Sequence, residues 1–324
     1  MYCRIGIVAS VLFLAGGFSG VALGQPSASL AKQPEKIIID TDIGSDIDDA
    51  FAVALALRSP EFDILGIAAA SGDTQARAKI LDRMLGEVGR QDIPVAVGIE
   101  TPLPEGATVT QKVYGEKGHF GRPSHPKAVD FILDQIRRHP GEITLVAIGP
   151  VSNLGGLIDE SPETFRKLKR VVMMGGWIEP IKPDYGNAAP YGPVPEYNIL
   201  GDIGAAQKLF LSGVPLYVMP IDSTLHLALD EVKRRLIFSQ GTPLTDALAL
   251  QYHQWDRGRT PIMFDAMTLA YLIDPSLCPV QPMHIRVDDK GLMRVESGTP
   301  NAQVCLHSDA DAFFRFYMSR LLAP

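Results

Sequence analysis

The chain is poor in cysteine, with three in 324 residues, and no CxxC or HxxxH spacing occurs anywhere in it. Zinc fingers and ribbons, which need thiolates or imidazoles at fixed short spacings, are therefore excluded. Long basic runs are missing as well. A formal net charge of −7 argues against a nucleic-acid backbone or an anionic membrane as partner. No internal repeat, low-complexity linker or second composition regime is present, so the chain reads as one domain and not as an array.

What is there is ordinary globular composition, 46% hydrophobic and 21% charged, enough to bury a substantial core. The N-terminus differs from the rest. "MYCRIGIVASVLFLAGGFSGVALGQ" has Arg4, about a dozen apolar residues, then Ala22-Leu23-Gly24 before Gln25. A basic start, a short apolar core and small residues at −3 and −1 describe a secretory signal peptide over residues 1–24. A membrane anchor fits less well, because Gly16, Gly17, Ser19 and Gly20 interrupt a stretch already short of the roughly 20 apolar residues that span a bilayer. The reading is an exported protein, periplasmic or secreted, with a small polar leader over 25–35 and one domain over 36–324. Cleavage leaves Cys278 and Cys305, which an oxidising compartment permits to pair; the sequence alone does not decide whether they do.

Apolar runs alternate with helix-period segments through the rest. "KIIID" (36–40), "ILGIAAAS" (64–71), "IPVAVG", "ITLVAIG", "RVVMMGG" and "VPLYVMP" read as strands. Helical patterns follow the first two and recur near 125–138, 153–169 and 202–212. Such alternation predicts an α/β fold, a mainly parallel central sheet with helices on both faces. "HIRVDDKGLMRVES" (284–297) reads as a hairpin and "SDADAFFRFYMSRLL" as a closing helix. In open α/β sheets ligands bind beyond the carboxyl ends of the strands, which directs attention to residues 40–49, 71–73, 149–153 and 222–224.

The first of these is the most unusual. "IIIDTDIGSDIDDAFAVALAL" (37–57) packs Asp40, Asp42, Asp46, Asp48 and Asp49 into ten positions. Helix capping explains one or two of them, since a helix N-terminus favours negative charge by about 0.3–1 kcal/mol. A phosphate site is contradicted by the carboxylates and by the absence of GxGxxG or GxxxxGK[ST] from the stretch. A hard divalent cation, which takes six to eight oxygen ligands when it is Ca²⁺, would remove the mutual repulsion. The EF-hand spacing is not matched.

These residues resemble the signature of the inosine/uridine-preferring nucleoside hydrolases, D-x-D-x-G-x-D-D-A, and the similarity continues through "GIAAASGD", "ITLVAIGPVSNL", "VVMMGG", "PEYNILGDIGAA" and "FDAMTLAYLIDP". The resemblance implies a Rossmann-like fold and cleavage of the N-glycosidic bond of a ribonucleoside through a metal-bound water, with Ca²⁺ as cofactor and a small-molecule substrate. It implies Asp42 as metal ligand and general base, with Asp49, the backbone carbonyl of Ser152 and Asp265 as further ligands. Asp48, Asp73, Asn187, Glu196 and Asn198 would bind the sugar. Members of the family are often dimers or tetramers, so a homo-oligomer is possible.

Three departures bear on specificity. Two residues are inserted, so that Asp48 and Asp49 lie six and seven positions after Asp42 while Asp46 takes the family's spacing of four. Asp73 stands where many members have Asn. Phe264 precedes Asp265 where the inosine-uridine enzymes carry a His that protonates the base, and a phenyl ring donates no proton. Stacking of the base would serve instead, with Trp177, Trp255, Tyr185, Tyr191, Phe120 and His119 as candidates, and this inclines the expectation toward purines. His119 lies in "YGEKGHFGRPSH", a stretch suited to a lid. Two alternatives stay open: a hydrolase of the same fold acting on another N-ribosyl compound, and a periplasmic nucleoside-binding protein without catalysis.

Overall fold

The first strand, β1 (Glu35–Thr41), has Ile37, Ile38 and Ile39 fully buried. Successive side chains point to opposite faces of a strand, so Ile37 and Ile39 enter one hydrophobic core and Ile38 enters the other. A strand buried on both faces belongs to a parallel sheet covered by helices. The protein is seen here as a computed structural model that describes residues 1–2, 33–103, 107–181, 190–255 and 258–323. The signal-peptide reading and most of the leader fall outside the described residues.

The further strands are β2 (Phe62–Ala69), β3 (Val95–Val97), β4 (Thr144–Ala147), β5 (Arg170–Met174), β6 (Leu216–Met219), β7 (Gln281–Met283), β8 (Ile285–Val287), β9 (Met293–Val295) and β10 (Ala302–Val304). Eight of them form one sheet in the order β3-β2-β1-β4-β5-β6-β10-β7. Neighbours run parallel except at the β10–β7 edge. β8 and β9 make the predicted hairpin, outside that sheet. The order reverses between β1 and β4, which opens a crevice at their carboxyl ends, the place where such sheets bind ligands.

One core is closed by α1 (Asp48–Leu57), α2 (Thr74–Glu87) and the helices Pro243–Trp255, Ala266–Ile273 and Ala310–Leu321. The helices Ala128–Arg138, Ser152–Glu160 and Ile203–Leu211 close the other. α1 matters most for the site. Every residue from Asp48 to Ala56 is buried, as expected of a helix that is apolar all round. Its first turn is therefore sunk in the protein, and the two aspartates there are buried by the fold rather than offered to water.

Two sequence expectations change. The helix predicted over 153–169 breaks into Ser152–Glu160 and Pro162–Phe165, because Pro162 lacks an N–H and forces Ser161 to an extended φ of −155°. β7 and β10, three residues each, were not predicted; runs so short carry no periodicity. Cys278 and Cys305 are joined by a disulfide, which ties the segment after the helix Ala266–Ile273 to the end of β10.

Candidate active site

At the crevice lies a cavity of about 610 Å³. Its lining combines Asp42, Asp46, Asp48, Asp49, Glu196, Asn198 and Asp265 with an apolar, aromatic group that includes Trp177, Tyr191, Trp255 and Phe264. Asp42 follows β1, Asp48 and Asp49 open α1, and Asp265 precedes the helix Ala266–Ile273. The loop from β1 into α1 and the start of a helix more than 200 residues later thus deliver their acids to one cavity.

Asp48, Asp49 and Asp265 are 2–3% exposed, and each offers an oxygen within 4.8 Å of those of the other two. Oxygens that share one Ca²⁺ at about 2.4 Å can be no more than about 4.8 Å apart, so this trio fits a hard divalent cation. Hydrogen bonds fix two of the three. Thr41 Oγ1 donates to Asp49 Oδ1 at 2.5 Å, and the Asp265 N–H donates to Asp48 Oδ2 at 3.3 Å. Burial above all, and then the charges of neighbouring aspartates, hold all three carboxyls well above the ordinary carboxylate range. A bound cation would relieve that penalty.

Asp42 lines the same cavity but is not one of these three, and it faces Arg77. This side chain is completely buried, and its guanidinium lies 3.8 Å from Asp42 Oδ2. Its Nη1 donates to the carbonyls of Asp42 and Ile43, its Nη2 to Ser45 Oγ at 2.9 Å, and its Nε to the Ser71 carbonyl at 2.7 Å. Arg77 so fastens the loop after β1 to the loop after β2, where Ser71 adopts a left-handed φ of 64°. On the other side Gly149 approaches closely; a Cβ there would lie 2.8 Å from Asp42 Oδ1. Burial pushes the Asp42 carboxyl up to about 6, against the pull of Arg77. Asp40, deeper in β1, is pushed up to about 7 by burial, although Asn153 Nδ2 donates to it at 2.7 Å.

Removal of Arg77 should be costly. Arg77→Met leaves Asp42 without its buried counter-charge and three loop carbonyls without donors, at about 3–5 kcal/mol, or on the order of 10 °C in Tm. Arg77→Lys should recover part of the charge effect and little of the forked hydrogen bonding. A thermal melt of the two variants checks this, and equal Tm values for Arg77→Met and wild type would refute it.

Glu196 caps the short helix Tyr197–Leu200 and accepts from the N–H groups of Gly176, Asn198 and Ile199 at 2.8–3.2 Å. Burial, its largest influence, raises its pKa nonetheless. Asn198 is turned by its Nδ2 donating to the Met174 carbonyl at 3.2 Å. Ser152 is buried and does not line the cavity, and its Oγ has no partner.

Other candidates are placed elsewhere. Asp73 is exposed, caps α2 by accepting from the Ala76 N–H at 2.9 Å, and lies 3.6 Å from Lys112 Nζ; it does not line the cavity. Its ground for an unusual sugar therefore falls away. Asn187 and Tyr185 lie outside the described residues. The stretch expected as a lid packs on α2 instead. Phe120 sits against Gly86, and Asp82 pairs with Arg122 and with His125, both at 2.9 Å, so neither Phe120 nor His119 reaches the cavity. Sequence reasoning missed Arg77 and Tyr197. The Tyr197 hydroxyl is buried without a partner, and burial first, then Asp42, push it up to about 12. For Arg77 a signal existed: it stands three, four and seven positions before Ile80, Leu81 and Met84, on the apolar stripe of α2.

A crevice at the switch point of a parallel sheet, floored by carboxylates and walled by aromatic rings, is the pocket of an enzyme that handles a small polar molecule bearing a flat apolar part. The chain belongs to the inosine-uridine preferring nucleoside hydrolase family, whose model matches residues 37–315. It is a ribonucleoside N-glycosidase of a metal-dependent family. Among its relatives is the pyrimidine-specific ribonucleoside hydrolase RihA of Citrobacter koseri, 30% identical over an aligned length of 315, with 88% of this chain and 97% of the relative covered. A plant nucleoside hydrolase, PpNRh1, superposes with a TM-score of 0.78 at 25% identity, covering 90% of this chain and all of its own. A purine-preferring ribonucleoside hydrolase from Gardnerella vaginalis shares the fold, with a TM-score of 0.75 at 22% identity over 89% of this chain and 98% of its own.

Proposed function

We propose that the protein is an exported, calcium-dependent hydrolase that cleaves ribonucleosides, purines included, to free base and ribose, with Asp42 as the general base. The observation that carries this is the buried trio of Asp48, Asp49 and Asp265, its oxygens within 4.8 Å of one another, with Asp42 at its edge. Asp48, Asp49 and Asp265, with the Ser152 carbonyl behind them, would hold the ion. When bound, Ca²⁺ supplies positive charge that acidifies water and a grip on vicinal hydroxyls.

The protein's own groups account for the rest. Asp42 accepts the proton of the attacking water; its carboxyl, pushed up to about 6, is tuned closer to neutrality than a free aspartate and so makes a better base. Asn198 and Glu196 accept from sugar hydroxyls. As the C–N bond lengthens the sugar becomes oxocarbenium-like, and the surrounding carboxylates stabilise the positive charge that develops. Trp177, Tyr191, Trp255 and Phe264 form an apolar wall for the base, with the rings of Trp177 and Tyr191 5.4 Å apart. The purine reading rests on that wall and on the volume. One relative is named for pyrimidines and one structural neighbour for purines, so the panel must hold both.

The test is release of reducing sugar from inosine, adenosine, guanosine, uridine and cytidine, with Ca²⁺ or with EDTA. Release that EDTA abolishes and Ca²⁺ restores supports the proposal. Turnover of pyrimidines alone removes its purine part, and tight binding without release favours a binding protein. For export, sequencing of mature protein from the medium or periplasm should begin at Gln25.

A further inference from the structure

Hydrolysis moves two protons, and Asp42 accounts for one of them. As the C–O bond to water forms, the water's proton goes to Asp42. As the C–N bond breaks, its electron pair departs with the base, which needs a proton of its own. Few groups that line the cavity have one to give. Phe264 has none, and no His, Lys or Cys lines the cavity among the described residues. Arg259 keeps its charge at every working pH. The Trp177 indole N–H is committed to the Glu179 carbonyl at 2.6 Å. Asp46 Oδ1 accepts from the Ile47 N–H at 2.6 Å, a bond that favours the carboxylate over the acid. Two phenols also line the cavity, Tyr191 and Tyr197.

They belong to different parts of it. Tyr197 stands in sequence between Glu196 and Asn198, and its hydroxyl is buried where the charges of Asp42, Asp49 and Glu196 act on it. That is the end of the cavity that takes water and sugar, and a phenol among carboxylates gives up its proton less readily. Tyr191 is part of the wall that receives the base, its ring centroid 5.4 Å from that of Trp177. Its N–H and carbonyl pair with those of Ile181 at 3.0 and 2.9 Å, which pins the backbone. Gly192 beside it has a φ of 79° and lets Trp177 pack there; a Cβ at that position would lie 2.4 Å from the indole ring.

We propose that Tyr191 is the general acid of the reaction, its hydroxyl giving a proton to a ring nitrogen of the departing base. The Tyr191 O–H bond breaks, an N–H bond forms on the base, and the phenolate takes a proton back from solvent. Tyr191 is 62% exposed, so solvent reaches it. Tyrosine is among the side chains that serve as general acids, and a positioned one contributes about 10²–10⁴ in rate. Tyr191 thereby does more than present a ring for stacking. The inference rests on the hydrolase reading with Asp42 as base, and adds the second proton to it.

Tyr191→Phe tests this cleanly, because it keeps the ring and removes only the hydroxyl. The experiment measures kcat of wild type, Tyr191→Phe and Tyr197→Phe on the best nucleoside of the panel and on p-nitrophenyl riboside, whose leaving group departs without a proton. Tyr191→Phe should lower kcat on the nucleoside by about 10²-fold, and the fall on p-nitrophenyl riboside should be at least about tenfold smaller. Tyr197→Phe should treat the two substrates alike. A fall on the nucleoside of less than about tenfold, or a smaller difference between the substrates, overturns the role of Tyr191 alone. So does the same difference found in Tyr197→Phe and not in Tyr191→Phe, or a wild type that cleaves p-nitrophenyl riboside and no nucleoside. A wild type inert toward every one of these substrates overturns the hydrolase reading and this with it.

Discussion

Asp42→Asn lowers kcat for ribonucleoside hydrolysis by about 10³-fold while the protein stays folded. The substitution changes shape hardly at all. It removes the one carboxylate at the edge of the trio that Arg77 faces, and with it the acceptor for the water's proton. Loss of a positioned general base costs about 10²–10⁴ in rate. The amide cannot take up a proton, so the pH profile of the residual activity should lose the acid limb that belongs to the Asp42 carboxyl. Stability should fall less than in Arg77→Met: the buried Arg77 loses its counter-charge but keeps its carbonyl acceptors, and Asp49 and Asp265 lose a repelling neighbour. The measurement is steady-state turnover of the best nucleoside beside a thermal melt. A kcat within tenfold of wild type would remove Asp42 from the chemistry.

The second large effect is thermodynamic. Asp48, Asp49 and Asp265 are held well above the usual range in the folded protein, Asp42 at about 6 and Asp40 at about 7. The sign follows from linkage. A carboxyl whose folded pKa is raised binds protons more readily in the native state than in the unfolded one, so stability falls as pH rises from the unfolded value near 4 through the folded one. Metal-free protein should therefore lose Tm steadily between about pH 4 and pH 7. Saturation with Ca²⁺ should reverse this, because cation binding needs the carboxylates ionised. At a hundred times Kd the gain is about 2.7 kcal/mol, several degrees for a domain of this size, and it should be larger at pH 8 than at pH 5. Asp265→Asn should weaken the Ca²⁺ response by an order of magnitude or more. Melts of EDTA-treated protein with and without added Ca²⁺ across pH decide it. A Tm indifferent to pH and to Ca²⁺ would mean that the trio is only a cluster of protonated acids.

Much of the site was readable because its residues stand in short ordered segments. Asp48, Asp49, Asp265, Glu196 and Asn198, taken from those segments, all line one cavity. Asp42 was picked out with them, but its partner was not. An arginine on a helix reads as solvated, and only its place on the apolar stripe of α2 hinted that Arg77 is buried. Asp73 shows the opposite case: a residue at the right strand end that the helix behind it claims as a cap. The stretch that holds His119 and Phe120, two of the stacking candidates, reads as a lid from its length and glycine content, which say that a loop can bend and nothing about where it packs.

Local patterns were enough for the strands, the helices that follow them, the parallel sheet and the crowd of acids after the first strand, since each of these depends on neighbours in sequence and on side-chain period. The strand order, the insertion of β10 beside β6, the pairing of Cys278 with Cys305 and the grip of Arg77 on two loops are contacts between segments tens to hundreds of residues apart. Such contacts are chosen by packing and by the avoidance of unpaired buried charge, which no window of sequence contains.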